Sequence, residues 1–434
     1  MSRPTWREAA LAVREELRAG PDTRTPRGVA ILLVLVTLAI LSAFTVEFHY
    51  KAYVGLHVAA NVRDEVAAYY HARSAMEIAR LVIKNQNMVD NLLAMLGGGA
   101  AAAGGGAPQS GAAAGKLKTE LWTIAQDFAN GFCTGKLNLM GMNFFDLTGH
   151  KGVGVEKGGL CKAAVKPEDG RVSINRVDTL ADKQQMFNDL YTMFVKNRAG
   201  ELKLRDPNEI DKSAAEMALA VIDYADADTV RTDLVGLQVA ETGSPEGAEY
   251  KGNGKPKDAK YDSLGELQLV PNLDPELYCK AVQELTPYAT TKINVNGAGA
   301  PVLMSALCDP MVTPNVLESC LLPGLTTWEL ANGLPPRLPN MQKAVLNFMM
   351  CRGIRQVLFS PGFGSVQDFA NFFNQIPGGW QPRPMVNAMA LEPRLTFKAQ
   401  PIRIESVGGF YGTYKSLTAV LDSKSGNYVY WREY

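Results

Sequence analysis

Between two polar regions lies VAILLVLVTLAILSAFTV, residues 29–46, which contains neither a charge nor a proline. At 1.5 Å per residue this run forms a helix of about 27 Å, enough to cross the hydrocarbon core of a bilayer. Arg3, Arg7, Arg14, Arg18, Arg24 and Arg27 precede it and a long polar region follows, which predicts an N-terminus on the cytoplasmic side. The residues after the run, EFHYKAYVGLHV, offer no small-x-small cleavage site of the secretory kind, so the segment reads as an anchor. The pattern then continues. Val58, Val62, Val66, Tyr69, Ala72, Met76, Ala79 and Ile83 recur at steps of three and four, with Arg73, Glu77, Arg80 and Lys84 beside them. Residues 29–96 hold no proline and only Gly55 as glycine. One helix of about 100 Å is expected, apolar all round in its first half and amphipathic in its second.

Charge and cysteine usage narrow the function classes. Lys plus Arg equals Asp plus Glu, 44 against 44, so there is no global field to attract nucleic acid or anionic lipid. The six cysteines, 133, 161, 279, 308, 320 and 351, all follow the apolar run, and none form a C-x-x-C pair. Three of the four histidines, His49, His57 and His71, lie near the N-terminus. A zinc site therefore lacks its usual ligand spacing. An even cysteine count beyond an export segment fits disulfides in an oxidising compartment, with buried free thiols as the alternative. Six cysteines allow fifteen pairings. Sequence neighbours are the simplest: Cys133–Cys161, Cys279–Cys308 and Cys320–Cys351.

Residues 97–115 (GGGAAAAGGGAPQSGAAAG) read as a flexible loop. A helix follows over 116–131, with Leu121, Ile124, Ala125 and Phe128 on one face. Three strand-like pieces come next: LNLMGMNFFDL, GGLCKAAV and EDGRVSIN. From 177 to 390 the chain reads as mostly helical, with AAEMALAVIDYA, PELYCKAVQEL, APVLMSAL and NMQKAVLNFMM each of helix length. The tail, 391–434, returns to strands: Ile402 and Ile404 alternate with Arg403 and Glu405, and a turn at 423–427 joins two further runs. This is an α+β chain in which a long N-terminal helix packs on a small antiparallel sheet. The sheet is begun by 116–176 and completed by 391–434, with a large helical insertion between.

Several motifs make the reading more specific. R-G-V-A-I-L-L-V-L, with Gly28 directly before the apolar helix, resembles a type IV prepilin peptidase site. EDGRVSIN (168–175), AVIDYADAD (220–228), SLGELQLV (263–270), KINVNGAGAPVL (292–303) and VYWRE (429–433) are similar, in order, to motifs of the K-type minor pseudopilins of type II secretion systems, the GspK family. The resemblance covers most of the chain but not residues 309–360. It implies a leader of residues 1–28, a mature helix over 29–96 with 29–46 in the inner membrane, and a periplasmic bulk. It also implies cleavage by prepilin peptidase between Gly28 and Val29, followed by methylation of Val29. Pilins place glutamate at the fifth mature position; this chain has Leu33 there, and lack of that glutamate is a mark of the K type. The implied role is a non-enzymatic subunit at the pseudopilus tip, whose partners are the I and J minor pseudopilins and the shaft.

One acidic cluster stands out in the helical region. Asp223, Asp226 and Asp228 lie at a helix end, and Glu246 and Glu249 follow in the polar loop GSPEGAEYKGNGKPKD. Carboxylates on a loop suit calcium, which takes six to eight oxygens in loose geometry, and the family resemblance implies calcium here; the alternative is a solvated acidic loop. No histidine, nucleophile motif or phosphate cradle accompanies the cluster, which argues against an inner-membrane hydrolase. The I-N-V-N segment also occurs in helix-hairpin-helix DNA-binding modules, but CDPMVTPNV follows Leu307 in place of a glycine hairpin. A tip pilin of a DNA-uptake or type IV pilus-like machine is the alternative reading, although nucleic acid is not the expected partner. Asn294 and Asn296 are expected to turn the chain.

Overall fold

The structure is a computed structural model that describes residues 27–85, 121–139, 142–146, 157–198, 207–236, 238–246, 255–273, 275–289, 291–326, 338–357, 362–376, 378–381 and 383–434, with isolated residues elsewhere. Nearly all of the expected leader, the loop at 97–115 and Glu249 lie outside the described residues. Packing divides the chain into two units, the first ending at Asp64 and the second being Glu65–Tyr434. In chain order the main elements are α1 (Arg27–Lys84), α2 (Trp122–Thr134), β1 (Gly159–Pro167), α3 (Leu180–Arg198), α4 (Pro207–Ala225), β2 (Val230–Val235), β3 (Gln238–Pro245), α5 (Ala300–Leu307), α6 (Asn340–Val357), α7 (Val366–Gln375), β4 (Pro401–Phe410), β5 (Thr413–Asp422) and β6 (Tyr428–Glu433).

Helix α1 is uninterrupted, as the absence of proline requires. Within its apolar run the Thr37 and Thr45 hydroxyls donate to the carbonyls of Val34 and Leu41 at 2.9 and 2.7 Å, so these two donors are satisfied within the helix. This helix is long and apolar enough to cross a membrane, and none of its most apolar stretch is buried. In the second unit the helix changes character. Ala68, Ala72, Ala75 and Ala79 are fully buried, with Met76 and Ile83 among them. Val58, Val62 and Val66, which share the same periodicity, are exposed. The buried stripe is mostly alanine because the helix lies almost on the sheet backbone. A Cβ added to Gly408 would collide with the Ala68 carbonyl oxygen and the Ala72 amide.

The sheet runs β6-β5-β4-β1, antiparallel throughout. Its helix-facing side chains are Ala163, Val165, Ile402, Ile404, Leu417, Ala419 and Leu421, alternate residues as the pleat demands. β4 and β5 meet at Tyr411 and Gly412, both with positive φ (43° and 88°), the pairing a tight two-residue hairpin needs. The free edge of β1 is closed by α2. Asn130 donates to the Ala163 carbonyl (3.1 Å) and accepts from its amide (2.8 Å), and Gln126 accepts from Val165. A capped edge cannot recruit a stray strand.

The architecture is the α+β arrangement expected, with differences of detail. LNLMGMNFFDL forms its own hairpin, Lys136–Leu139 with Met142–Asp146, outside the main sheet. EDGRVSIN supplies a single 3-10 turn and the two-residue strand Val172–Ser173, which pairs with Leu285–Thr286 inside the insertion. The helical body thus occupies residues 168–400, between strands β1 and β4 that are direct neighbours. Its core is continuous, from Phe187 and Leu190 on α3 and Met217 and Val221 on α4 to Val302 on α5 and Phe348 on α6. From the segment outside the family resemblance, α6 folds onto this core through Met341, Ala344 and Val345, and Phe348 meets Phe363, Phe369 and Phe373 edge-on or tilted. A buried ionic cluster ties the two ends of the body together. Asp189 accepts from Arg176 (2.5 Å) and Arg394 (2.8 Å), and Arg394 also holds Asp309 (2.5 Å).

The cysteines pair differently from simple succession. Cys133 on α2 joins Cys161 on β1, as expected, but Cys308 joins Cys320 and not Cys279, while Cys279 and Cys351 are free. The reason is local. Asp309 caps the turn after α5 through the amide of Met311, and the Thr313 hydroxyl donates to the Leu307 carbonyl. The chain is folded back so that the Cα atoms of Cys308 and Cys320 are 5.8 Å apart. Cys279 is exposed on the short helix Pro275–Ala281, and Cys351 is half-buried on α6.

Candidate metal centre

The acidic cluster is assembled by chain reversals around the ends of α3 and α4. Thr179 caps α3, its hydroxyl accepting from the Asp182 amide at 3.1 Å, which sets Lys183 in the first turn. Asp223 is in the last turn of α4 and Asp226 directly follows it. The chain then bends through residues 226–229 into β2, with the Asp228 carboxylate accepting from the Val230 amide (2.8 Å) and Asp223 from that of Thr232 (3.0 Å). The β2–β3 hairpin is held against α3 by Gln184, which accepts from the Val239 amide at 2.6 Å. At its far end the Glu246 amide donates to the Thr229 carbonyl (3.1 Å), returning Glu246 to the mouth of the same bend.

The result is that Asp223, Asp226 and Glu246 each offer an oxygen within 4.8 Å of the others. Of the expected set these three converge. Asp228 is turned to Lys183, at 3.1 Å, and Glu249 lies outside the described residues. Two charged residues at the cluster escaped the sequence reading. Lys183 is 4% exposed, and its ammonium reaches Asp226 at 2.8 Å, Asp228 at 3.1 Å and Glu241 at 3.2 Å. In sequence it is one more lysine of a polar helix start. Asp258 sits in the left-handed region (φ 50°) with a buried Oδ1 that accepts no hydrogen bond, and its charge acts on Glu246. Flanked by Lys257 and Lys260 it reads as a solvated loop residue; its tolerance for positive φ was the only local hint.

The electrostatics are those of a site short of positive charge. Burial pushes Asp226 up to about 6, against the pull of Lys183. Burial, then the charges of Asp226, Asp223, Asp258 and Asp228, push Glu246 up to about 9. Burial works against the Lys183 ammonium, but its bonds to Asp226, Asp228 and Glu241 outweigh that and raise its pKa. Oδ1 of Asp226 and both oxygens of Glu246 are buried and accept no hydrogen bond. Facing carboxylates without a donor need a proton or a cation between them. A hard divalent cation fits this donor set, which is all oxygen.

The other singled-out residues are placed as follows. Gly28, Val29 and Leu33 lie exposed on α1. Asn294 is fully buried, and Asn296 spends its amide on the backbone of Phe363 and Phe397. Both asparagines are structural turn residues.

No protein-family model matches the chain, and no curated protein sequence matches it. Among solved structures it is similar to the complex of GspK, GspI and GspJ from the type 2 secretion system of enterotoxigenic Escherichia coli. The TM-score is 0.39 and the identity 10%, over 64% of this chain and 81% of that one.

Proposed function

We propose that this chain is a K-type minor pseudopilin of a type II secretion system, a structural subunit without catalytic activity. The observation that carries the reading is the division of labour along α1. Its first part is exposed and apolar, while its second part is an alanine stripe seated on an antiparallel sheet that carries a bulky helical body. The first part suits a single pass of the inner membrane, with the second unit in the periplasm. Two disulfides support an oxidising compartment. The I and J minor pseudopilins and the pseudopilus shaft are the proposed partners, and prepilin peptidase the processing enzyme. Calcium is the proposed cation of the acidic cluster, held by Asp223, Asp226 and Glu246, where it would supply the positive charge that the buried oxygens lack.

Position at the tip follows from Leu33. In pilins the carboxylate at the fifth mature position neutralises the N-terminal ammonium of the subunit above, and a bare ammonium among apolar helices is expensive. A terminal subunit has no ammonium above it to neutralise, so leucine removes the cost of desolvating an unused carboxylate. The test is made in cells. Mass spectrometry should find Val29 as the N-terminus only when prepilin peptidase is present. Cysteines placed along residues 30–45 should cross-link to other minor pseudopilins and not to a second copy. An intact Met1 removes the pseudopilin reading, and abundant self-cross-links at a regular offset would make the chain a shaft subunit.

A further inference from the structure

We propose that Lys183 is a tethered cation that shares the acidic cluster with the divalent ion, holding its carboxylates together when no ion is bound and withholding Asp228 from the ion's ligand set. The inference rests on the calcium reading above. Three observations carry it. The ammonium is held by carboxylates from two structural elements: it donates to Asp228 on the bend after α4 and to Glu241 on β3, and it forms an ion pair with Asp226 on the same bend at 2.8 Å. It is not a surface ion pair that happens to lie near: the Lys183 side chain is 5% exposed, and Asp226 is 2% exposed. Finally, Asp226 is divided. One oxygen faces Lys183 at 2.8 Å, and Oδ1 accepts no hydrogen bond while Asp223 and Glu246 converge on the same carboxylate.

Two consequences follow from Coulomb's law. A fixed positive charge on Asp226 repels any cation that binds the other side of that carboxylate, so Lys183 lowers the affinity of the site. Without an ion it is also the one buried ammonium among the described residues that compensates the cluster, so it keeps the α4–β2 bend and β3 together in a chelator. A chain with methionine at 183 would keep the packing of the aliphatic stem and lose the charge. It should fold poorly without calcium and bind calcium tightly.

The experiment uses the full chain in detergent, with thermal unfolding in EGTA and in millimolar calcium, and direct calcium titration. For Lys183→Met the unfolding temperature in EGTA should fall below that of the wild type. Its rise on adding calcium should be larger, and its calcium affinity tighter by roughly tenfold or more, as removal of a unit charge a few ångströms away implies. Asp228→Asn should change affinity less than about threefold, because this half-exposed group is screened, whereas Asp226→Asn should abolish binding. Affinity in Lys183→Met equal to or weaker than wild type overturns the role of Lys183 and leaves the calcium reading standing. Loss of binding in Asp228→Asn as complete as in Asp226→Asn overturns the partition of the carboxylates. Calcium blindness in both the wild type and Lys183→Met removes the cation site itself; a blind wild type with a binding Lys183→Met supports the proposal in its strongest form. Should Lys183→Met not fold even in calcium, Lys183→Gln and Asp228→Asn carry the same comparison.

Discussion

Glu168, the first residue of EDGRVSIN, is fully buried where the sheet meets the helical body. Arg403 on β4 grips it with two bonds, Nε to Oε2 at 2.5 Å and Nη2 to Oε1 at 2.7 Å, and the Thr286 hydroxyl donates to Oε1. Burial alone would raise the carboxyl, but Arg403 outweighs it and holds the group below its ordinary 4.5. The sign follows from linkage. A carboxylate with a lowered folded pKa binds fewer protons folded than unfolded in that range, so its contribution is complete above 4.5 and is lost as pH falls through the lowered value. Glu168→Gln leaves the Arg403 guanidinium buried against a neutral partner, and should cost about 3–5 kcal/mol at pH 7. Denaturant unfolding at pH 7 and pH 3 checks both halves. The variant should be much weaker at pH 7 and lose less than the wild type on acidification; equal losses would mean that the pair contributes nothing specific.

At the scale of elements, the contact between α1 and the sheet depends on small residues from both sides. Ala68 and Ala72 of the helix meet Gly408 of β4 so closely that a single methyl group has no room. Gly408→Val should therefore destabilise the chain by roughly 1–3 kcal/mol or more, since neither backbone can retreat without unpairing strands. Val407 beside it points away and is 38% exposed, so Val407→Thr should stay within about 0.5 kcal/mol. Comparison of the two unfolding temperatures separates close packing from any general sensitivity of β4. The opposite edge of the contact is fixed by other means: α2 is joined to β1 both by Cys133–Cys161 and by Asn130 and Gln126 on its backbone.

For the molecule as a whole, the decisive feature is that the helical body is inserted between neighbouring antiparallel strands. Pro167 pairs with Ile402, so the chain leaves the sheet and re-enters it at almost the same point. Replacing residues 168–400 by an Asn-Gly turn should let β1 and β4 form an ordinary hairpin. The shortened protein should still form the Cys133–Cys161 bond and a protease-resistant core, with lower stability because Arg403 loses Glu168. A product with no ordered sheet would show that the body templates the sheet and is not an insertion into a self-sufficient one. The ionic cluster of Asp189 with Arg176 and Arg394 explains how the body closes on itself: its two ends are clamped at one buried carboxylate.

What the sequence determined alone is what depends on near neighbours along the chain. Absence of proline and of charge makes residues 29–46 an apolar helix wherever it is placed, and alternation at Ile402 and Ile404 makes a strand with one buried face. The helix Ala300–Leu307, the turn at 423–427 and the structural use of Asn294 and Asn296 were legible for the same reason, whereas the helix Pro275–Ala281 is shorter than its apolar stretch and α4 and α6 are longer than theirs. The tertiary structure decided everything that depends on which distant segments meet. Val62 and Ala72 carry the same periodic signal, yet one is exposed and the other buried, because only the second lies over Gly408. Cys308 finds Cys320 because a capped turn folds the chain back, which counting cysteines cannot reveal. The acidic residues were visible as a cluster, but their partition was not. Lys183, Asp226 and Glu241 come from three separate stretches of sequence, and they meet only after α3, α4 and the β2–β3 hairpin have docked. Hydrogen bonds between distant segments, such as Gln184 with the Val239 amide, fix that meeting, and they have no period that a sequence can display.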